Sequence, residues 1–188
     1  ALPNQYKRRP NTVMLTSRGC PFNCTFCFQA GRFGPKFRRH SVSRIILEIK
    51  ELQDKYGIKE ITFWDDVFTL NAEWVNEFCK RLIDEKIDIV WTCLSRIDTV
   101  TKELLNKMAE AGCWSIFYGI ETGNQELLEI INKGFNLDEC RRVIKWTHEA
   151  GIETRGSFML ALPGETPEMA KKTIDFAIEL DLTYALFS

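Results

Sequence analysis

Ser17-Arg18-Gly19-Cys20-Pro21-Phe22-Asn23-Cys24-Thr25-Phe26-Cys27 sets three thiols within eight residues, directly after the apolar run Thr12-Val13-Met14-Leu15-Thr16. Three sulfur ligands are one short of a closed site, because structural zinc takes four protein ligands and the common ferredoxin clusters take four cysteines. A compact triad with no evident fourth partner describes a metal centre that keeps one position open, and an open position is where chemistry happens. Two plainer readings stand beside it: three buried free thiols, or a zinc loop that borrows a distant Cys or His.

Working outward, the run before the loop reads as a buried first strand with the thiols at its C-terminal end. Residues 1–11 are polar and proline-flanked and read as an entering linker, so the domain is expected over 12–188. Gly31, Gly34 and Pro35 keep the stretch after the thiols non-helical. From Ser41 to Tyr56, Ile45, Ile46, Ile49 and Leu52 recur at helical spacing, with Gly57 as a stop. Strands are expected next at Glu60–Trp64, Ile89–Leu94, Ser115–Ile120, Gly156–Leu162 and Leu182–Phe187. Between them lie helices opened by Asn71, Thr101, Asn136 (with Glu139, a capping box) and Thr166 with Pro167 at the first position, and a short helix around Leu127 and Leu128. Six alternations of strand and helix argue for an α/β fold with a parallel sheet and no internal repeat. A closed barrel needs eight such units, so six leave an open, curved sheet. Ending on a strand with no covering helix suggests a piece of a longer protein.

A chain of 188 residues with 45% hydrophobic residues and a net charge of -1 can bury one core, and its composition excludes a disordered chain. The basic clusters Lys7-Arg8-Arg9 and Lys36 to Arg39 are modest: they suit an anionic partner, nucleic acid among them, or simply solvated loops. Seven cysteines, four of them scattered singly (Cys79, Cys93, Cys113, Cys140), do not make a disulfide framework. No apolar run reaches the roughly 20 residues that span a bilayer, and no signal-peptide core is evident. The expected setting is a reducing cytoplasm.

In parallel α/β barrels the ligand-binding residues sit at the C-terminal ends of the strands. Those ends are polar here: Cys20 to Cys27, Asp65-Asp66, Ser95-Arg96, Glu121-Thr122 and Pro163-Gly164-Glu165. Each has an ordinary structural role open to it, as turn residue, surface pair or helix-dipole partner. Their common rim beside the thiol loop favours function.

The C-x3-C-x2-C spacing, with Phe26 just before the last cysteine, resembles the signature of the radical S-adenosylmethionine (SAM) family, and the likeness extends over residues 12–188. The resemblance implies a partial (β/α)6 TIM-like barrel, truncated here after strand six. It implies that Cys20, Cys24 and Cys27 each bind one iron of a [4Fe-4S] cluster whose fourth iron is chelated by SAM, with Phe26 packed beside the cofactor. The end of strand two, Trp64-Asp65-Asp66, stands where the family has Gly-Gly-Glu, which makes Asp66 the expected acceptor for the SAM ammonium. Ser95 joins the cofactor-binding set. Glu121, in Gly119-Ile120-Glu121-Thr122-Gly123, is expected at the ribose or the amino-acid part. Phe158, Leu160 and Leu162 are expected beside the adenine, although Ala161 stands where related chains often have glycine. Arg96 and Arg155 are the two candidate forks for the SAM carboxylate.

The implied activity is reductive cleavage of SAM to a 5'-deoxyadenosyl radical that abstracts a substrate hydrogen, with a flavodoxin- or ferredoxin-type electron donor and an unknown substrate. The wording of the loop, of Cys93-Leu94-Ser95-Arg96 and of Gly119 to Gly123 looks most like the branch that often carries a cobalamin-binding module, absent from this chain. That branch holds methyltransferases and ring-forming enzymes. Methylthiotransferases that modify RNA or protein are the alternative, and a non-enzymatic zinc or iron-sulfur brace is the alternative of another class.

Overall fold

A computed structural model describes residues 6–28 and 36–188. The stretch around Gly31, Gly34 and Pro35 and the first five residues of the expected linker lie outside the described residues. The chain enters through β1 (Asn11–Met14) and a small hairpin of β2 (Ser17–Arg18) and β3 (Arg38–Arg39). It then alternates: α1 (Val42–Tyr56), β4 (Glu60–Phe63), α2 (Ala72–Asp84), β5 (Val90–Ser95), α3 (Lys102–Glu110) and β6 (Cys113–Glu121). α4 (Gln125–Ile130), α5 (Leu137–Glu149), β7 (Glu153–Phe158), α6 (Pro167–Glu179) and β8 (Tyr184–Phe187) complete it. The six long strands form one parallel sheet in the order β1-β4-β5-β6-β7-β8, the open α/β arrangement that the alternation implies.

Local chemistry sets the element ends. Ser41, Asn71, Thr101 and Thr166 each accept from the backbone N–H three residues on, and Asn136 with Glu139 forms a complete capping box. Gly57 closes α1 in the left-handed region at φ 64°. The helices cover the outer face of the sheet. Along β5 burial alternates, so that Trp91, Cys93 and Ser95 face the helices while Val90, Thr92 and Leu94 face the inner side. The core between sheet and helices is anchored by a cluster of Phe63, Phe68, Phe78 and Trp91, with the Phe63 and Phe68 rings stacked at 4.8 Å. On the inner face a cavity of about 570 Å³ opens between Val13, Trp64, Phe117, Arg155 and Leu186.

Two expectations shift. The fifth strand is Glu153–Phe158, starting three residues before the expected Gly156 and ending at Phe158, so that residues 159–162 of the apolar run leave the sheet. Apolarity misleads there because half of β7 faces the open cavity and tolerates Arg155, whereas pairing with β6 and β8 is a backbone matter. The entering stretch is tied down from residue 7: the backbone N–H groups of Lys7 and Arg8 donate to Glu60 Oε2 at 2.6 and 2.5 Å. Glu60 is fully buried at the N-terminal end of the sheet, where Trp114 Nε1 donates to its other oxygen.

Candidate active site at the strand rim

The thiol loop leaves β1 under tight restraint. Asp65, fully buried, accepts from Thr16 N–H at 3.1 Å, from Thr16 Oγ1 at 2.8 Å and from Ser17 Oγ, while Arg39 Nη2 lies 3.9 Å away. Arg39 is itself sandwiched against Trp74 at 4.4 Å, and burial lowers its pKa to about 10. Gly19 then turns at φ 86°, and a Cβ there would sit 2.5 Å from the Lys36 carbonyl oxygen, so only glycine fits between loop and hairpin. Beyond the turn, Cys27 N–H donates to Cys24 O, Thr25 N–H to Ile131 O and Asn132 Nδ2 to Asn23 O, which ties the loop to the segment after α4.

None of the three loop thiols forms a disulfide; Cys24 is buried and Cys20 and Cys27 are half-buried. Burial raises the Cys20 thiol above its ordinary value, with Phe22 N–H and Arg96 opposing and Asp66 and Cys27 adding to the rise. The four other cysteines are buried in separate elements, and burial pushes Cys79 and Cys140 up to about 12. Among the described residues no three His, Cys, Asp or Glu side chains converge tightly enough for a single metal ion. Three thiols around one loop, each free to take its own iron, fit a polynuclear cluster better than a mononuclear zinc site.

Asp66 is half-buried beside the loop: burial and Asp65 raise its carboxyl, and an N–H from Gly19 works against the rise. Across the rim, β6 ends in an irregularity between Gly119 and Glu121, and Glu121 takes φ 74°. That bulge aims the Glu121 carboxylate at Lys133, whose Nζ lies 2.6 Å from Oε1, both side chains under 10% exposed. Ser157 Oγ donates to the other oxygen at 3.3 Å. A Cβ on Gly119 would stand 2.5 Å from Glu121 Oε1 and 3.0 Å from Lys133 Nζ, so that glycine makes room for the ion pair. Lys133 Nζ also lies 5.5 Å from the Phe26 ring centroid, which brings the pair against the thiol loop.

The Radical SAM superfamily profile matches residues 14–177. This chain belongs to the radical SAM superfamily. The uncharacterized methyltransferase PH0819 of Pyrococcus horikoshii is 42% identical over 95% of this chain and 39% of its own length. Cytidylyl-2-hydroxyethylphosphonate methyltransferase of Streptomyces wedmorensis is 33% identical over 93% of this chain and 34% of its own. The chain thus spans well under half the length of these curated relatives. Among solved structures, the radical SAM methyltransferase TsrM from Kitasatospora setae, with tryptophan and a SAM analog bound, superposes with a TM-score of 0.85 at 22% identity. The superposition covers 95% of this chain and 35% of that one, a likeness of fold.

In this radical SAM domain the rim gathers Cys20, Cys24, Cys27, Phe26, Asp66, Arg96 and Glu121. Lys133 joins them without having been expected; its only sequence signal is its place in Asn132-Lys133-Gly134, the segment that returns to the loop after α4. Ser95 does not join: its hydroxyl sits 2.5 Å from Thr69 Oγ1 on the helix side of the sheet. Phe158 is fully buried on that same side, stacked on Phe187 at 5.2 Å. Arg155 stands lower on the inner face, level with Phe117 and 5.2 Å from the Trp114 ring. Of the apolar strand-five run, Leu160 is 37% exposed and Leu162 is buried, with Ala161 between them in the left-handed region at φ 62°. That conformation is why glycine suits the position.

Proposed function

We propose that this chain is the cluster- and SAM-binding core of a radical SAM methyltransferase that works with cobalamin held elsewhere in the protein. The observation that carries the reading is the anchored three-thiol loop facing Asp66 and the Glu121–Lys133 pair across one strand rim. The methyltransferase relatives at 42% and 33% identity support transfer of a methyl group. Structural neighbours described with bound cobalamin bring that cofactor into the proposal. A putative methylthiotransferase of Methanocaldococcus jannaschii, 30% identical over 96% of this chain, keeps that related reaction as the second reading.

In this reading Cys20, Cys24 and Cys27 hold the cluster, and Asp66 accepts from the SAM ammonium. Glu121 accepts from the ribose hydroxyls while Lys133 holds its other side by the 2.6 Å ion pair. Leu160 and Leu162 offer the apolar contact for the adenine. Bound cluster and SAM supply the chemistry, reductive cleavage of a carbon–sulfur bond that yields a 5'-deoxyadenosyl radical. The inner-face cavity, with its exposed Trp64 and Leu186 walls, is the proposed substrate chamber. The hairpin beside the loop exposes Arg18, Lys36, Arg38 and His40, a basic surface suited to an acidic one-electron donor of flavodoxin or ferredoxin type.

Anaerobic reconstitution tests the core of this reading. The protein is expected to bind four irons and four sulfides and to cleave SAM when reduced. Cys24→Ala abolishes the cluster, and Cys140→Ala leaves the iron content unchanged. Loss of iron from Cys140→Ala instead would show that the ligands are wrongly assigned.

A further inference from the structure

We propose that Arg96 is a positioning residue for the cluster, whose guanidinium donates a hydrogen bond to the Cys24 sulfur and thereby raises the reduction potential of the centre. The inference rests on the reading of Cys20, Cys24 and Cys27 as cluster ligands. It gives Arg96 a task different from gripping the SAM carboxylate.

The guanidinium is spoken for on nearly every edge. Its side chain is 6% exposed. Nε and Nη2 close bidentately on Asp98 at 2.9 and 2.8 Å, and Nη2 also donates to the Lys133 carbonyl. Nη1 donates to Cys24 Sγ at 3.4 Å, within the range of an N–H···S hydrogen bond. Four of the five N–H bonds are thus committed inside the chain, and the fork that a second carboxylate would need is already closed on Asp98. The guanidinium carbon also lies 3.6 Å from the centroid of the Phe22 ring. Phe22 and Cys24 stand two residues apart in the same loop, so the ring holds the cation with one N–H edge at the sulfur. Gly134, at φ 83°, turns the chain directly after Lys133, whose carbonyl takes the Nη2 hydrogen bond.

The consequence follows from charge. Reduction adds one electron to a centre whose sulfurs carry much of the negative charge, and a buried donor aimed at a ligating sulfur stabilises the reduced form more than the oxidised one. Asp98 partly cancels the guanidinium charge and so sets how strong the effect is. A one-electron donor therefore reduces the centre more readily with Arg96 in place.

Reconstituted Arg96→Gln, Arg96→Lys and Asp98→Asn, each checked for iron and sulfide, are compared with wild type in a potentiometric titration followed by electron paramagnetic resonance. Arg96→Gln is expected to lower the reduced-to-oxidised ratio at a fixed potential about tenfold, roughly 59 mV for a one-electron couple. Arg96→Lys recovers part of the loss. Asp98→Asn, which strips the counter-charge and keeps the guanidinium, shifts the ratio in the opposite direction. If Arg96→Gln holds no cluster, the sign of the Asp98→Asn shift decides alone. Unmoved potentials, or a downward shift in Asp98→Asn, overturn the inference. So does an Arg96→Gln protein whose potential is unchanged while its SAM affinity falls tenfold, the pattern of a carboxylate fork. A wild-type protein that binds no four-iron cluster overturns the underlying reading as well, and is told apart by its iron content.

Discussion

Adjacent aspartates divide the labour at the end of β4. Side chains alternate along a strand, so Asp65 points to the helix side and takes the Thr16 and Ser17 donors, while Asp66 points to the rim beside Gly19 and Cys20. Asp65→Asn swaps an acceptor for a donor in a fully buried network and is expected to lower the melting temperature and loosen the cluster loop. Asp66→Asn is expected to leave melting almost unchanged and to weaken SAM binding. Paired calorimetry and thermal scans check the ranking, and the reverse order would move the ammonium contact away from Asp66. Glu121 needs a different design. Removing its charge alone leaves Lys133 buried without a counter-ion, a loss of about 3 to 5 kcal/mol. Glu121→Gln combined with Lys133→Met should recover most of that stability yet not the SAM affinity. A double variant that binds SAM as wild type does would reduce the pair to a structural brace.

At the scale of elements, the caps and stops carried the helices: Ser41, Asn71, Thr101, Asn136 and Thr166 open α1, α2, α3, α5 and α6 where the capping chemistry puts them. Less legible was how closely the elements approach. A Cβ on Gly123 would lie 2.6 Å from Phe176 Cβ and 2.7 Å from the Lys172 carbonyl oxygen, so this glycine is where α6 packs onto the turn after β6. Gly123→Ala pushes against backbone and is expected to cost about 1 to 3 kcal/mol in chemical denaturation. The hairpin of β2 and β3 was also missed, because two-residue strands leave no periodicity to read. Its role is evident only in space, where the Lys36 carbonyl meets Gly19 and Arg39 reaches Asp65.

Over the whole molecule, the sheet buries one face and opens the other. In a closed barrel inward side chains interlock as a packed core. Here Trp64 and Val13 on that face remain 61% and 55% exposed. Binding of an apolar substrate in the chamber is expected to blue-shift the Trp64 emission, and Trp64→Phe to abolish that shift while moving the melting temperature little. An unchanged emission on saturating substrate would take the binding site out of the chamber. Among the described residues no helix is long and apolar enough to cross a membrane.

Sequence by itself determined the parallel alternation of strands and helices, the thiol loop at the end of the first strand, and the polar rim that shares its edge. These are local matters: periodicity, caps and ligand spacing are written within a few residues of chain. Tertiary structure alone decided which of the strand-end residues gather beside the thiol loop. Ser95 and Phe158 lie on the helix side by the parity of their strands, and the bulge before Glu121 turns its carboxylate to Lys133, twelve residues away in sequence. Arg96, read from its position as a hand for SAM, is held by Asp98, the Lys133 carbonyl and Phe22 with an edge against the Cys24 sulfur. Such pairings join segments separated by up to 72 positions, and only the packing of those segments brings a donor to its acceptor.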